Sequence, residues 1–122
     1  MSETWSIDGE AVHANSFEAD VSARISTGKL TTWVTSTQGR TLALVSNGAR
    51  IMVVLMEHVG DPGFHALDPN ADGESQSGYV LENGQVDTYP NGETVPLDDG
   101  LRAAAEVVRT GELAHVTWQS DR

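Results

Sequence analysis

The chain has 122 residues and a mass of 13.0 kDa, with 18 Asp and Glu against 7 Lys and Arg, a net charge of −11, a pI near 4.5 and no cysteine. That length holds one domain, and a folded chain of this size removes roughly two thirds of its unfolded surface from water, enough for a core without disulfides. One Lys and six Arg in so acidic a chain do not suit nucleic-acid phosphates or anionic membranes, and the lack of cysteine excludes a disulfide framework, a thiolate zinc site and a Cys nucleophile.

The opening stretch, Met1 to Ser6, carries no basic region followed by an apolar run, so it does not read as a secretory signal. The longest apolar run, Ile51 to Met56, has the length of a strand and not of a bilayer span. The expected compartment is the cytosol. Asn15 followed by Glu18 resembles a capping box, and Phe17, Val21 and Ile25 recur at a helical interval before Gly28. A helix over 16–27 follows from these marks. Leu30 to Ser36 reads as a strand that turns at Gln38-Gly39.

Two Asn-Gly pairs, each between strand-like runs, mark hairpins with two-residue type I′ turns. Around Asn47-Gly48 this pairs Leu44 with Ile51 and Leu42 with Val53. One face then holds Leu42, Leu44, Ile51, Val53 and Leu55, and the other Ala43, Val45, Met52, Val54 and Met56. With both faces apolar, these strands are expected at the centre of a sheet, covered on both sides for much of their length. Met52 and Met56 read as core filling, or as an adaptable recognition surface where their face is open. Around Asn83-Gly84 the same turn puts Tyr79, Leu81 and Val86 on one face and Val80, Glu82, Asp87 and Tyr89 on the other, with one face buried.

Pro96, then Asp98 and Asp99, then Arg109 and Gly111, bracket a second helix of about twelve residues, with Leu97, Leu101, Ala104 and Val108 on its stripe. Gly100 lowers its intrinsic stability by about 1 kcal/mol relative to Ala. Val116 to Trp118 reads as a last short strand. Trp5, Trp33 and Trp118 read first as core or core-edge residues. The sum is a single α+β domain over 1–122: a mostly antiparallel sheet built from hairpins, with an N-terminal and a C-terminal helix packed on it. Residues 58–77 form the one long irregular segment, the kind of loop that is usually functional or mobile.

That loop holds Asp68-Pro-Asn70-Ala-Asp72-Gly73, which opens like an EF-hand loop but has Tyr79 where the twelfth-position Glu belongs. Short Asx turns account for the same residues. His58, Asp61, His65 and Asp68 supply nitrogen and oxygen donors, yet their spacing fits no helical ligand pair. No nucleophile elbow, phosphate loop or cofactor fingerprint accompanies them. No catalytic residue, metal or cofactor is therefore expected.

The charge is distributed unevenly. Between Arg50 and Arg102 there are ten acids and no Lys or Arg, while the flanks carry eight acids and seven bases. A block of one sign steers an oppositely charged partner. The order of Thr41 to Gly48, Gly60-Asp-Pro-Gly-Phe-His65, Ser77 to Pro90 and Val95-Pro-Leu97 resembles the first-numbered Imm family of bacterial polymorphic-toxin immunity proteins. The resemblance covers about residues 41–118 and is weakest over the first forty. It implies a cytosolic antidote that binds a cognate toxin domain, often a nucleic-acid cytidine deaminase, and blocks its active site. A deaminase must accept phosphates in a basic groove, which an acidic protein can occupy. From charge and expected exposure, and not from the family motif, the toxin-facing residues are expected to be Glu57, Asp61, Asp68, Asp72, Glu74, Glu82, Asp87 and Tyr89. The alternatives are a small-molecule or metal-binding α+β domain, with or without enzymatic activity, and an interaction subunit of some other complex.

Overall fold

Alternating aliphatic residues in two adjacent runs, 41–46 and 50–56, build the centre of the sheet, because successive side chains of a strand point to opposite faces. The computed structural model describes residues 3–121; Met1 and Ser2, part of the stretch read for a leader, and Arg122 lie outside the described residues. The elements are, in chain order, β1 (Trp5–Ile7), β2 (Glu10–Ala11), α1 (Ala14–Ser26), β3 (Thr31–Ser36), β4 (Thr41–Ser46), β5 (Arg50–Met56), β6 (Phe64–Leu67), β7 (Ser75–Val80), β8 (Val86–Pro90), a short 3-10 turn (Asn91–Glu93), β9 (Val95–Pro96), α2 (Leu97–Thr110) and β10 (Thr117–Ser120). The main sheet runs β10-β6-β5-β4-β3-β1-β2, with β9 also on β5, and β7 pairs with β8 as a separate hairpin. All these pairings are antiparallel. The fold is thus α+β with two helices on a mostly antiparallel sheet, as expected.

Both helices pack on the same sheet face. Leu42, Leu44, Ile51, Val53 and Leu55 meet Phe17, Val21 and Ile25 of α1 and Leu101, Ala104 and Val107 of α2 in one buried cluster. Each fully buried side chain of this size contributes about 1.5–3 kcal/mol. Trp5 belongs to this core and Trp118 packs against it, whereas Trp33 is 44% exposed.

The helix ends differ in part from expectation. Helix α1 starts two residues early, at Ala14 with His13 as its N-cap, and has no side-chain cap, so Asn15 lies inside the helix and the capping box does not form. Its C-terminus does close at Gly28 (φ 95°): Gly28 N donates to Ile25 O at 3.0 Å and Lys29 N to Arg24 O at 2.9 Å. That is the Schellman arrangement, which favours glycine at the left-handed position. Helix α2 buries Gly100, Ala103 and Val107 besides Leu101 and Ala104, while Leu97 and Val108 are only half-buried. Its contact face is therefore rotated toward the small residues.

Both turns depart from type I′, which requires a positive φ at Asn as well as Gly; among the described residues neither Asn47 nor Asn83 has one. In the first hairpin Ser46 pairs with Ile51 and Leu44 with Val53. The connection is longer because Asn47 Oδ1 accepts from Ala49 N (2.9 Å) and Arg50 N (2.7 Å), folding an Asx turn. The shift is by two residues, so the faces stay as expected. In the second hairpin Gly84 N donates to Leu81 O (2.9 Å) and Leu81 N to Gln85 O (2.8 Å), with Gly84 at φ 88°. This three-residue loop with a glycine bulge pairs Val80 with Val86 and Tyr79 with Asp87. A one-residue slip exchanges the faces of β8. Val86 is consequently exposed, and Tyr89 sits edge-on to Tyr79 with ring centroids 4.9 Å apart.

The segment 58–77 is less irregular than expected, since it contains β6 and the start of β7. At four residues, β6 is too short to show a period. It forms by inserting between β5 and β10.

Candidate partner-binding face

The face of the sheet opposite the helices carries the second apolar set of β4 and β5. The hairpin β7–β8 lies across one end of it: Thr31 Oγ1 donates to Val80 O (2.7 Å), and Asn47 Nδ2 donates to Gln76 Oε1 (3.0 Å) and Ser77 O (3.2 Å). Tyr79 is fully buried beneath the hairpin. Beyond it the face is open. The cross-strand row Trp33, Ala43, Val54, His65, Gln119 runs over five strands, and Thr35, Thr41 and Met56 form the next row. Cover on both sides, as expected for much of the length of β4 and β5, holds along β4, where Leu42 to Ser46 are all buried, whereas on β5 Met52, Val54 and Met56 are half-exposed. Trp33 belongs to this face because it is out of step with the buried Thr32 and Val34, a signal present in the sequence.

The eight expected contact residues occupy different environments. Asp72, Glu74 and Glu82 are exposed. Glu74 lies at the base of the hairpin, where Asn91 N bonds its carbonyl at 2.8 Å, and Glu82 at the tip. A six-residue strand separates them by about 20 Å. The Glu74 backbone amide (2.9 Å) and the Asn91 side-chain amide (3.1 Å) hold the Asp72 carboxyl below the usual carboxylate range. Asp87 and Tyr89 are half-buried on the inner side of the hairpin. The Tyr89 hydroxyl donates to Asp87 Oδ2 at 2.9 Å, and burial, reinforced by that carboxylate, pushes its pKa up to about 12.

Three others are committed within the fold. Asp61 is only 4% exposed, contrary to the expectation of a surface residue. Its carboxylate accepts from Glu57 N (2.8 Å) and Gly63 N (3.0 Å) and so shapes the 57–63 turn. Asp68 is bridged to Arg50 at 2.7 Å, and its Oδ1 accepts from Asn70 N in an Asx turn. Glu57 lies 3.6 Å from Arg40, which also grips Glu3 through two bonds of 2.7 and 3.0 Å and stacks over Trp5. Arg40 holds the Glu3 carboxyl below its ordinary range.

The four donors of the metal alternative face separate partners. His58 Nδ1 lies 3.0 Å from Val59 O, His65 pairs with Asp121 at 2.7 Å, and Asp61 and Asp68 are engaged as above. Among the described residues no three His, Asp or Glu side chains converge to hold a metal ion, and no helix is long and apolar enough to cross a membrane. Glu93 and Asp121, which border the open face beside His65 and Tyr89, were not among the expected residues. They reach it from segments far apart in the chain, so no local pattern announces them.

The model of the family described as immunity protein Imm1 matches residues 8–120, extending N-terminally beyond 41–118, where the sequence resemblance lies. No curated protein matches the chain.

Proposed function

The chain belongs to the Imm1 family of immunity proteins, and from that premise we propose that its partner is a nucleic-acid cytidine deaminase toxin whose basic substrate groove it occludes in the cytosol. It acts by binding and not by catalysis. The observation that carries this reading is that Asp72, Glu74 and Glu82 stand exposed with no salt bridge among the described residues, while of the two cations bordering the acidic segment Arg50 is turned inward onto Asp68 and Arg102 lies 3.9 Å from Asp99. Glu74 and Glu82 are thus left for an external cation, and Asp72, which accepts two bonds within the fold, adds its charge beside Glu74. Placed in a groove that accepts phosphates, they occupy positions of like charge, where complementarity speeds association and fixes orientation. Asp87 and Tyr89 lie on the inner side of the hairpin, Asp61 and Asp68 shape neighbouring loops, and Glu57 is held by Arg40 beside Trp5, away from the open face.

The test is to purify the toxin domain encoded beside this chain's gene and follow deamination of cytidine in single-stranded DNA and RNA with and without one equivalent of the protein. Loss of deamination is expected. A complex that forms while deamination proceeds undiminished, or a toxin domain with a different activity, overturns the reading.

A further inference from the structure

Between β8 and β6 the open face holds a shallow, open depression of about 290 Å³. Met52, Val54 and Pro62 give it an apolar lining, Tyr89 adds an aromatic one, and Glu93 and Asp121 bring two carboxylates. Asp121 is held by His65 Nδ1 at 2.7 Å. Glu93 is exposed and has neither a hydrogen bond nor an ion pair among the described residues. No Lys or Arg among the described residues lines the depression.

We infer that this depression is a socket for an arginine side chain of the toxin domain. The inference rests on the toxin-binding reading above and adds the place and chemistry of one contact. An arginine stem covers apolar surface while its head stays polar, and the planar guanidinium both stacks on an aromatic ring and bonds carboxylates through a fork of donors. The lining offers all three partners. A phosphate is repelled by Glu93 and Asp121, and a purely apolar side chain leaves Glu93 desolvated without a partner. A lysine supplies the charge but is a compact, strongly hydrated point that gains less from the Tyr89 ring. Val54 of the lining belongs to the cross-strand row that runs through Ala43 to Trp33. Trp33, 44% exposed, lies outside this lining, two strands from Val54 in the same row, and is of a residue type that often anchors an interface.

Two measurements test the socket. In the first, Nα-acetyl-arginine methylamide and its norleucine counterpart are titrated into the full chain and followed by NMR. The arginine probe is expected to shift the ring signals of Tyr89 and His65 and the amide of Val54, with the shifts lost in Glu93→Gln/Asp121→Asn. Equal responses to both probes, or none, overturn the socket. In the second, affinity for the toxin domain is measured. The double variant is expected to bind more than tenfold more weakly, and Glu93→Gln, which removes no bond of the fold, at least threefold. A toxin domain that binds wild type and both variants equally overturns the socket and leaves the immunity reading standing. A toxin domain that does not bind wild type at all overturns that reading, and with it the socket's assignment to a toxin.

Discussion

Arg50 and Asp68 are joined at 2.7 Å across the base of the open face, and the same guanidinium donates to the carbonyls of Asn91 (3.0 Å) and Thr94 (3.1 Å) and, through Nε, to Thr94 Oγ1 (2.9 Å). One side chain thereby ties β5, the 68–71 turn and the connection into β9. Both partners are about one-seventh exposed, so removing either leaves a partly desolvated charge. Asp68→Asn is expected to lower stability by about 2 kcal/mol while changing toxin affinity less than twofold. Urea unfolding and titration calorimetry check the two parts. A large loss of affinity with unchanged stability would return Asp68 to the contact surface.

Gly100 presses α2 against the sheet. A Cβ there runs into Ile51 Cγ2 and comes within 3.0 Å of Val95 Cγ2 and 3.3 Å of Val53 Cγ2. In an open helix, Gly→Ala gains about 1 kcal/mol. Here overpacking outweighs that gain, and Gly100→Ala is expected to destabilise by about 1–3 kcal/mol net. The penalty should shrink in an Ile51→Ala background, where the obstructing methyl is gone. Equal penalties in the two backgrounds would show that the Ile51 methyl is not the obstruction, and a gain in wild type would show that the helix shifts freely.

Tyr89 gives a pH signature. Its folded value of about 12 lies above the ordinary 10, so between these values the native state keeps a proton that the unfolded chain has released. Its contribution to stability is therefore complete below pH 10 and is lost as pH rises toward 12. Subtracting the ultraviolet phenolate titration of Tyr89→Phe from that of wild type should isolate a step near 12, with circular dichroism confirming that both remain folded. A step at 10 would mean that the hydroxyl is free of burial and of Asp87.

Reversing Asp72, Glu74 and Glu82 together to Lys should slow association with the toxin domain by at least tenfold at low ionic strength. The difference should narrow toward 0.5 M salt, since exposed charges separated by more than about a Debye length are screened. Glu74 and Glu82 make no side-chain bond among the described residues, so reversing those two alone should leave the melting temperature nearly unchanged, while adding Asp72→Lys should lower it through loss of the bonds from Glu74 N and Asn91. Stopped-flow rates unchanged at every salt concentration would remove the acidic surface from the encounter.

Elements whose signals are local or periodic can be read directly from the residues. Phe17, Val21 and Ile25 mark α1, the alternation in 41–56 marks the central hairpin and its faces, and Pro96 to Gly111 brackets α2; these place the chain in the α+β class. The acidic segment was legible too, because charge is a property of composition. Which of those acids remain outside depends on long-range contacts of the folded chain. Asp61 and Asp68 read like their exposed neighbours, yet backbone amides and Arg50, brought together by the folded loops, hold them inward. Turn chemistry decided the face of β8, since one extra residue at Gly84 sends Tyr89 inward and Val86 out. Long-range pairing likewise created β6 and brought His65, Glu93 and Asp121 beside Met52 and Val54. Those contacts join residues that share no period, so their juxtaposition exists only once the chain has closed on itself.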